Sequence, residues 1–413
     1  MARVFGRIGV LSFGGPAAQI ALMHRELVEQ RDWLDEQTFL RALSLCMLLP
    51  GPEAMQLATY AGWRLRGVAG GLLAGALFVL PGAAVIAVLV GLYANYGQLP
   101  LVQAAFLGIK ATVVVIVFQA LRNVAGKALK GRMAWMIAAL SFVAIFAFNL
   151  PFPLIIALAG VWGYLTAATD TPDMPGDAVP PILVQSGPIR TAILWLALWL
   201  FPLIGLTLSG PALLSDIGWL FAKLAVVTFG GAYAVLAYLT QTVVHDYHWI
   251  STAQMIDALG LAETTPGPLI LVTQFVAMLA GYLADGAALS IAAGIVALWA
   301  TFIPCFLWIF LAAPYLDQIA ARPRLSAALQ AITAAVVGVI LNLSLWFSLH
   351  VLFDRVSTQR IGPMSLPVPD PASLNLWALG LTGVAVVVMV FLRLGMVTTL
   401  TVMALIGAAT HLV

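Results

Sequence analysis

Apolar runs long enough to cross a lipid bilayer follow one another through almost all of this 413-residue chain. A helix needs about 20 mostly apolar residues to span the hydrocarbon layer. By that measure spans are predicted near 5–28, 38–61, 68–95, 101–121, 133–149, 151–169, 191–208, 216–244, 254–283, 287–313, 325–347, 376–392 and 395–413. Charged residues make up 9% of the chain, against about a quarter in a soluble domain, which is too few to solvate a water-facing surface. The expected fold is an all-α polytopic membrane protein of about 13 transmembrane helices, with lipid as its main solvent.

The polar, proline-rich stretch Thr169–Arg190 reads as a linker. It divides the chain into a first repeat at 1–168, a linker with one extra span at 169–215, and a second repeat at 216–413. Arginine and lysine gather in alternate connections, at Arg64 and Arg66, Arg122 to Arg132, Arg190, and Arg322 with Arg324, whereas Arg25, Arg31, Arg355 and Arg360 fall in the others. That bias predicts a cytoplasmic N-terminus and an external C-terminus. No cleavable signal peptide is expected, since Met1 to Gly15 lacks the basic, apolar and small-residue regions in order. The net charge of +2 is scattered over segment ends, which excludes a nucleic-acid partner. Cys46 and Cys305 sit in apolar runs and read as buried thiols. A homodimer is left open by the sequence.

An internal repeat is the strongest long-range signal. Phe13-Gly14-Gly15 recurs as Phe229-Gly230-Gly231, Trp33 as Trp249, and Pro50-Gly51-Pro52 as Pro266-Gly267-Pro268, all at an offset of 216 residues. Arg7 meets Lys223 at the same offset. Because one extra span precedes the second repeat, matching segments begin on opposite faces, which predicts an inverted-topology repeat with Pro/Gly-broken helices.

The breaks carry the expected chemistry. Proline removes a backbone donor and clashes with the preceding turn, yet it suits the first turn of a new helix. Gly14-Gly15-Pro16 and both Pro-Gly-Pro triplets should therefore end one half-helix and start another at membrane depth. Each start offers amides and partial positive charge to an anion. Kinks and close packing are the ordinary use of Gly and Pro in membrane helices, and the recurrence in both repeats tips the reading toward a binding site.

Arg7, Lys110 and Lys223 are the cations expected to meet a dianion, although Arg7 lies near enough to a span end to snorkel. Arg41 matches Asp257 at the repeat offset, and the two are expected to pair. Gln56, Thr264, Thr265, Gln274 and the glycines Gly230 and Gly231 complete the expected oxyanion shell. Glu53 and Glu263 flank the breaks, and burial of a carboxyl favours its neutral form, so either is a candidate proton carrier. Capping a helix start is the competing role for Glu53. His245 and His248 have a metal-like spacing but no further ligand cluster, so they read as a solvated turn. No metal or cofactor is expected, and no catalytic constellation is visible, which argues against an enzyme.

The strings SFGGPAAQIALMHRELVEQRDWL, CMLLPGPEAMQLATYAGW, FGGAYAVLAYLTQ and LAETTPGPLILVTQF fall in both repeats. Through them the chain resembles the chromate ion transporter (CHR) family in its long, two-domain form. The resemblance implies export of chromate across the inner membrane, giving chromate resistance and driven by the proton-motive force. Ala232 stands where the first repeat has Pro16, so the two sites need not be equivalent. The alternatives are transport of sulfate or another tetrahedral oxyanion and, from a different class, an ion channel.

Overall fold

The computed structural model describes residues 1–167, 188–229, 232–315 and 323–410. Its helices are α1 (Ala2–Leu11), α2 (Gly15–His24), α3 (Glu36–Leu48), α4 (Glu53–Tyr96), α5 (Pro100–Ala128), α6 (Arg132–Phe146), α7 (Phe152–Thr166), α8 (Pro188–Ser209), α9 (Ala212–Val227), α10 (Ala232–Thr240), α11 (Thr252–Glu263), α12 (Val272–Ala312), α13 (Pro323–Leu352), α14 (Leu376–Val386) and α15 (Met396–Ala409). Wide π-turns extend α2 over Arg25–Glu29 and α10 over Gln241–Asp246. Most of the expected linker, up to residue 187, lies outside the described residues.

Among the described residues five helices are long and apolar enough to cross a membrane, and shorter apolar helices accompany them. This is a nearly all-helical, polytopic membrane architecture. The four spans that carry the repeated motifs are interrupted, as glycine and proline dictate: α1 stops before α2, α3 before α4, α9 before α10, and α11 before α12. A half-helix such as the 10-residue α1 reaches only about 15 Å, half a bilayer. Its free end must therefore face protein or a polar cavity rather than lipid.

The chain divides into two compact units. Unit 1 comprises Met1–Val90, Tyr164–Ala232 and Thr265–Ala327. Here α4 is not one rod: its 44 residues would extend about 66 Å, and the chain reverses at Arg66 and Gly67. Gly62 and Gly70 face each other across that reversal, where a side chain on either would strike the other's carbonyl. Helix α12 turns back likewise at Asp285 and Gly286. Helices α8 and α9 pack on α12, with the Trp199 indole donating to the carbonyl of Ala300 at 3.0 Å. Phe5, Ile8, Phe78, Phe221 and Phe275 are fully buried in this unit.

Unit 2 comprises Gly91–Gly163, Tyr233–Thr264 and Ala328–Val413. It is built around α5, against which α11, α14 and α15 pack. The α5–α15 contact uses small residues: Gly108 abuts the carbonyl of Met403 and Gly407 abuts that of Ala104, the means by which membrane helices gain close van der Waals approach. Ala111, Val115, Leu381, Ala385 and Met403 fill the space beside it. One element was not expected. The connection 353–375 carries an antiparallel hairpin of β1 (Val356–Ile361) and β2 (Met364–Pro369), turned at Gly362 with φ +61°.

Candidate functional site

The breaks of unit 1 hold one another. Gly51, in the first Pro-Gly-Pro, donates its amide to the carbonyl of Thr228 at 2.8 Å. Gly267, in the second, donates to the carbonyl of Ser12 at 2.9 Å. Ser12 and Thr228 are the residues that end α1 and α9, and they match at the same offset of 216 as the two glycines. Each hydroxyl is turned back on its own helix, Ser12 Oγ to Ile8 O at 2.6 Å and Thr228 Oγ1 to Leu224 O at 2.5 Å. Each repeat thus ends a helix on an amide supplied by the other, which satisfies backbone groups that have no water to turn to.

Both contacts require glycine. Gly51 has φ +118° and Gly267 φ +88°, a region that L side chains rarely enter. Behind Gly51 lie Gln56 Nε2 and Cys305 Sγ, at 3.0 and 3.1 Å from where a Cβ would stand. Behind the second triplet the carbonyl of Pro266 presses on Gly82. Gly82 follows Pro81, as Cys305 follows Pro304.

Three buried glutamines knit these segments. Gln19 donates to Gly267 O at 2.7 Å and more weakly to Ser12 O at 3.3 Å; Gln56 donates to Pro50 O at 2.7 Å; Gln274 donates to Ala83 O at 3.0 Å. Because each amide nitrogen is fixed by a carbonyl, each Oε1 is identified, and among the described residues none of the three has a hydrogen-bond partner. Two helices start in this region. Gly14 caps α2 at φ +89° without a side-chain acceptor, and Pro16 lies in its first turn beside Gly15. In α4 the first amide to bond back within the helix is that of Gln56, to Pro52 O at 3.1 Å. The amides of both first turns point out of the helix ends, the arrangement that receives an anion.

The cations are distributed unevenly. Arg7 is largely exposed on α1, with its guanidinium 3.7 Å from Glu26 Oε1. Glu26 is itself buried and takes a 2.6 Å bond from Arg31. Two guanidiniums thus share one carboxylate, leaving the cluster positive. Lys223 is exposed on α9. Glu53 is half-buried as the first residue of α4, and Thr265 is buried beside Pro266, with Pro268 closing the triplet. Gly230 and Gly231 lie outside the described residues.

Three predicted site residues belong to unit 2. Lys110 Nζ stands 2.8 Å from Asp257 Oδ1, and Tyr93 Oη donates to Asp257 Oδ2 at 2.7 Å. Asp257 is 2% exposed, so its partners are Lys110 and Tyr93 rather than the Arg41 expected from the repeat offset. The reason is packing: α11 lies on α5, and a buried carboxylate requires a cation within reach. Glu263 is 5% exposed and accepts a 2.9 Å bond from Tyr233 Oη. Thr264 caps α11 and returns its hydroxyl to Leu261 O at 2.7 Å.

The profile of the chromate transporter family matches residues 1–164 and 215–410. This chain belongs to that family. It is 32% identical over 341 residues to the chromate transport protein of Cupriavidus metallidurans, covering 81% of this chain and 79% of that protein. It is 30% identical over 389 residues to the chromate transport protein of Pseudomonas aeruginosa, covering 93% and 88%. It is 29% identical over 395 residues to the probable chromate transport protein of Synechococcus elongatus, covering 92% and 90%. No solved structure matches the chain.

Membership makes the protein a membrane transporter rather than an enzyme. Within this member of the chromate transporter family, sequence reasoning missed Gln19, Glu26 and Cys305. Gln19 was visible as a polar residue in an otherwise apolar run of the first motif; Glu26 stands among other charged residues, and Cys305 carried no signal beyond following an intrahelical proline.

Proposed function

We propose that this transporter exports chromate from the cytoplasm across the inner membrane by secondary active transport, driven by the proton-motive force. The observation that supports this reading best is the reciprocal pair Gly51–Thr228 and Gly267–Ser12. It gathers broken helices from both repeats around one polar region, the usual location of a substrate site in a two-repeat transporter. Chromate is a tetrahedral dianion, suited to the first-turn amides of α2 and α4, with Arg7 and Lys223, matched at the repeat offset, as the cations of the two repeats. Lys110 is already matched by Asp257, so its positive charge is available to an anion only when that pair opens.

A contact made twice, i to j and then j to i at matched positions, is the signature of two-fold relation. This supports an inverted repeat about an axis in the membrane plane, and the bias of arginine and lysine toward alternate connections supports an N-terminus inside and a C-terminus outside. Cysteines introduced at Gln30 and Asp246 should then label from opposite faces, and labelling from a single face would refute the inversion. Arg7→Gln and Lys223→Gln should each weaken chromate binding while the protein still folds.

The decisive measurement is uptake of labelled chromate into everted vesicles, with and without a proton gradient and with excess sulfate. Accumulation that needs the gradient and resists sulfate supports chromate export. Equal uptake of sulfate would make the protein a general carrier of tetrahedral oxyanions, and gradient-independent flux would make it a channel.

A further inference from the structure

Unit 2 contains a polar cavity of about 460 Å³ that shares no residue with the helix breaks of unit 1. On α13, Asn342, Trp346 and His350 recur every four residues and so line one face of the helix. Gln241 and His245 come from the π-turn after α10 in the same register. The hairpin forms another wall and brings Arg360.

This wall is anchored, not draped. The amide of Ser365 on β2 donates to Ala147 O at 2.8 Å, just beyond α6, and Gln241 Nε2 donates to Asn149 Oδ1 at 2.7 Å. Trp346 and His350 lie together, with ring centroids 4.5 Å apart. His350 Nδ1 is 2.8 Å from the carbonyl of Trp346, which can only accept, so Nδ1 carries the proton and Nε2 is the nitrogen that can meet a ligand.

The chemistry of the lining is one-sided. It combines a guanidinium, two imidazoles and side-chain amides, and among the described residues it includes no aspartate or glutamate. We propose that this cavity is a second oxyanion site, binding a tetrahedral dianion of the chromate or sulfate type through Arg360, His245 and His350. An arriving dianion favours the imidazolium forms, which donate from the nitrogen not already committed. The choice of ligand rests on the transport reading above, but binding at this cavity does not depend on flux.

Trp346 provides the readout. Chromate absorbs where indole emits, so bound chromate quenches a neighbouring tryptophan. The full-length protein in detergent should show a saturable quenching component that Trp346→Phe removes. Arg360→Gln alters only an exposed strand residue, and together with His350→Gln it should weaken that component tenfold or more. Sulfate should compete for it, and phosphate tests whether any tetrahedral oxyanion suffices. Quenching that is the same in Trp346→Phe, or an affinity unchanged in both Arg360→Gln and the double variant, would overturn the proposal. Vesicle uptake of chromate, measured on the same preparations, keeps the two readings apart: absent flux with intact Trp346 quenching refutes transport alone, and intact flux without that quenching refutes the second site alone.

Discussion

The amide of Gly51 donates to the carbonyl of Thr228 across 2.8 Å, and Gly267, 216 residues after Gly51, meets Ser12, 216 residues before Thr228, at 2.9 Å. Such a pair couples the two repeats directly: a shift of one Pro-Gly-Pro segment displaces the helix end of the other repeat. Alternating exposure of a site between repeats needs a coupling of this kind.

Gly51→Ala should therefore damage both stability and transport. A non-glycine residue at such φ costs about 1–3 kcal/mol, and the added methyl also meets Cys305 Sγ at 3.1 Å. Adding Cys305→Ala to Gly51→Ala should recover the sulfur's share of the steric cost and leave the backbone part together with the contact to Gln56 Nε2 at 3.0 Å. Melting temperatures of the single and double variants in detergent separate the two. A double variant no more stable than Gly51→Ala would show that the sulfur is not the obstacle.

The pair of Lys110 and Asp257 predicts a strongly non-additive cycle. Removing the cation by Lys110→Met leaves a buried carboxylate without its counter-charge, a loss of about 3–5 kcal/mol. Asp257→Leu combined with Lys110→Met should restore most of that stability. Tyr93→Phe deletes one hydrogen bond to the same carboxylate and should cost about 1–3 kcal/mol. Thermal unfolding of the unaltered protein, Lys110→Met, Asp257→Leu and the double variant tests the cycle, and simple additivity would mean that the 2.8 Å contact does not bind the helices together.

What the sequence disclosed and what it hid follow from the range of the forces involved. The breaks at Gly14, Gly51 and Gly267 were legible because glycine and proline act on their own backbone. The matching of Ser12 with Thr228 was implicit in the offset, but that each would accept from the other repeat's glycine was not. Asp257 was assigned to Arg41 because the offset aligns their positions, and alignment says nothing about which helix packs alongside; α5 and Lys110 occupy that place. The hairpin left a fainter mark, since Gly362-Pro363 between two short extended runs is a turn signal that a search for 20-residue apolar spans passes over.

Helix α3 provides a pH test outside the apolar spans. Asp35 Oδ1 accepts from the amide of Thr38 at 2.8 Å, and that bond holds its carboxyl below the usual carboxylate range. A depressed folded value means that the stabilisation is complete above the unfolded value of about 3.9 and is lost as pH falls through the folded one. Asp35→Ala should cost about 0.5–1 kcal/mol at neutral pH, the low end for a cap on an exposed and screened residue, and the deficit should close in acid. The matching cap is Ser251, whose hydroxyl accepts from Gln254 N at 3.2 Å and does not titrate. Ser251→Ala should cost a similar amount at both pH values. A deficit at Asp35 that persists in acid would assign the effect to packing instead.

The last prediction tests which acid would carry the proton under the proposed proton-driven export. Two acids border the breaks, and their surroundings differ. Glu53 opens α4 at the first Pro-Gly-Pro, where an ionised carboxylate would occupy the same first-turn amides as the anion and a neutral one would leave them to it. Glu263 ends α11, buried, and accepts a 2.9 Å bond from Tyr233 Oη. In the first role protonation admits the substrate directly; in the second it loosens a tyrosine latch. Glu53→Gln and Glu263→Gln should be reconstituted and compared for chromate exchange at equal pH and for accumulation against a pH gradient. The coupling acid is the one whose amide variant keeps exchange but no longer accumulates. Tyr233→Phe then discriminates further: if Glu263 carries the proton through its latch, removing the hydroxyl should shift the pH midpoint of accumulation, whereas a Glu53 mechanism leaves that midpoint in place. Accumulation that survives both glutamine variants would rule out either acid as the proton carrier.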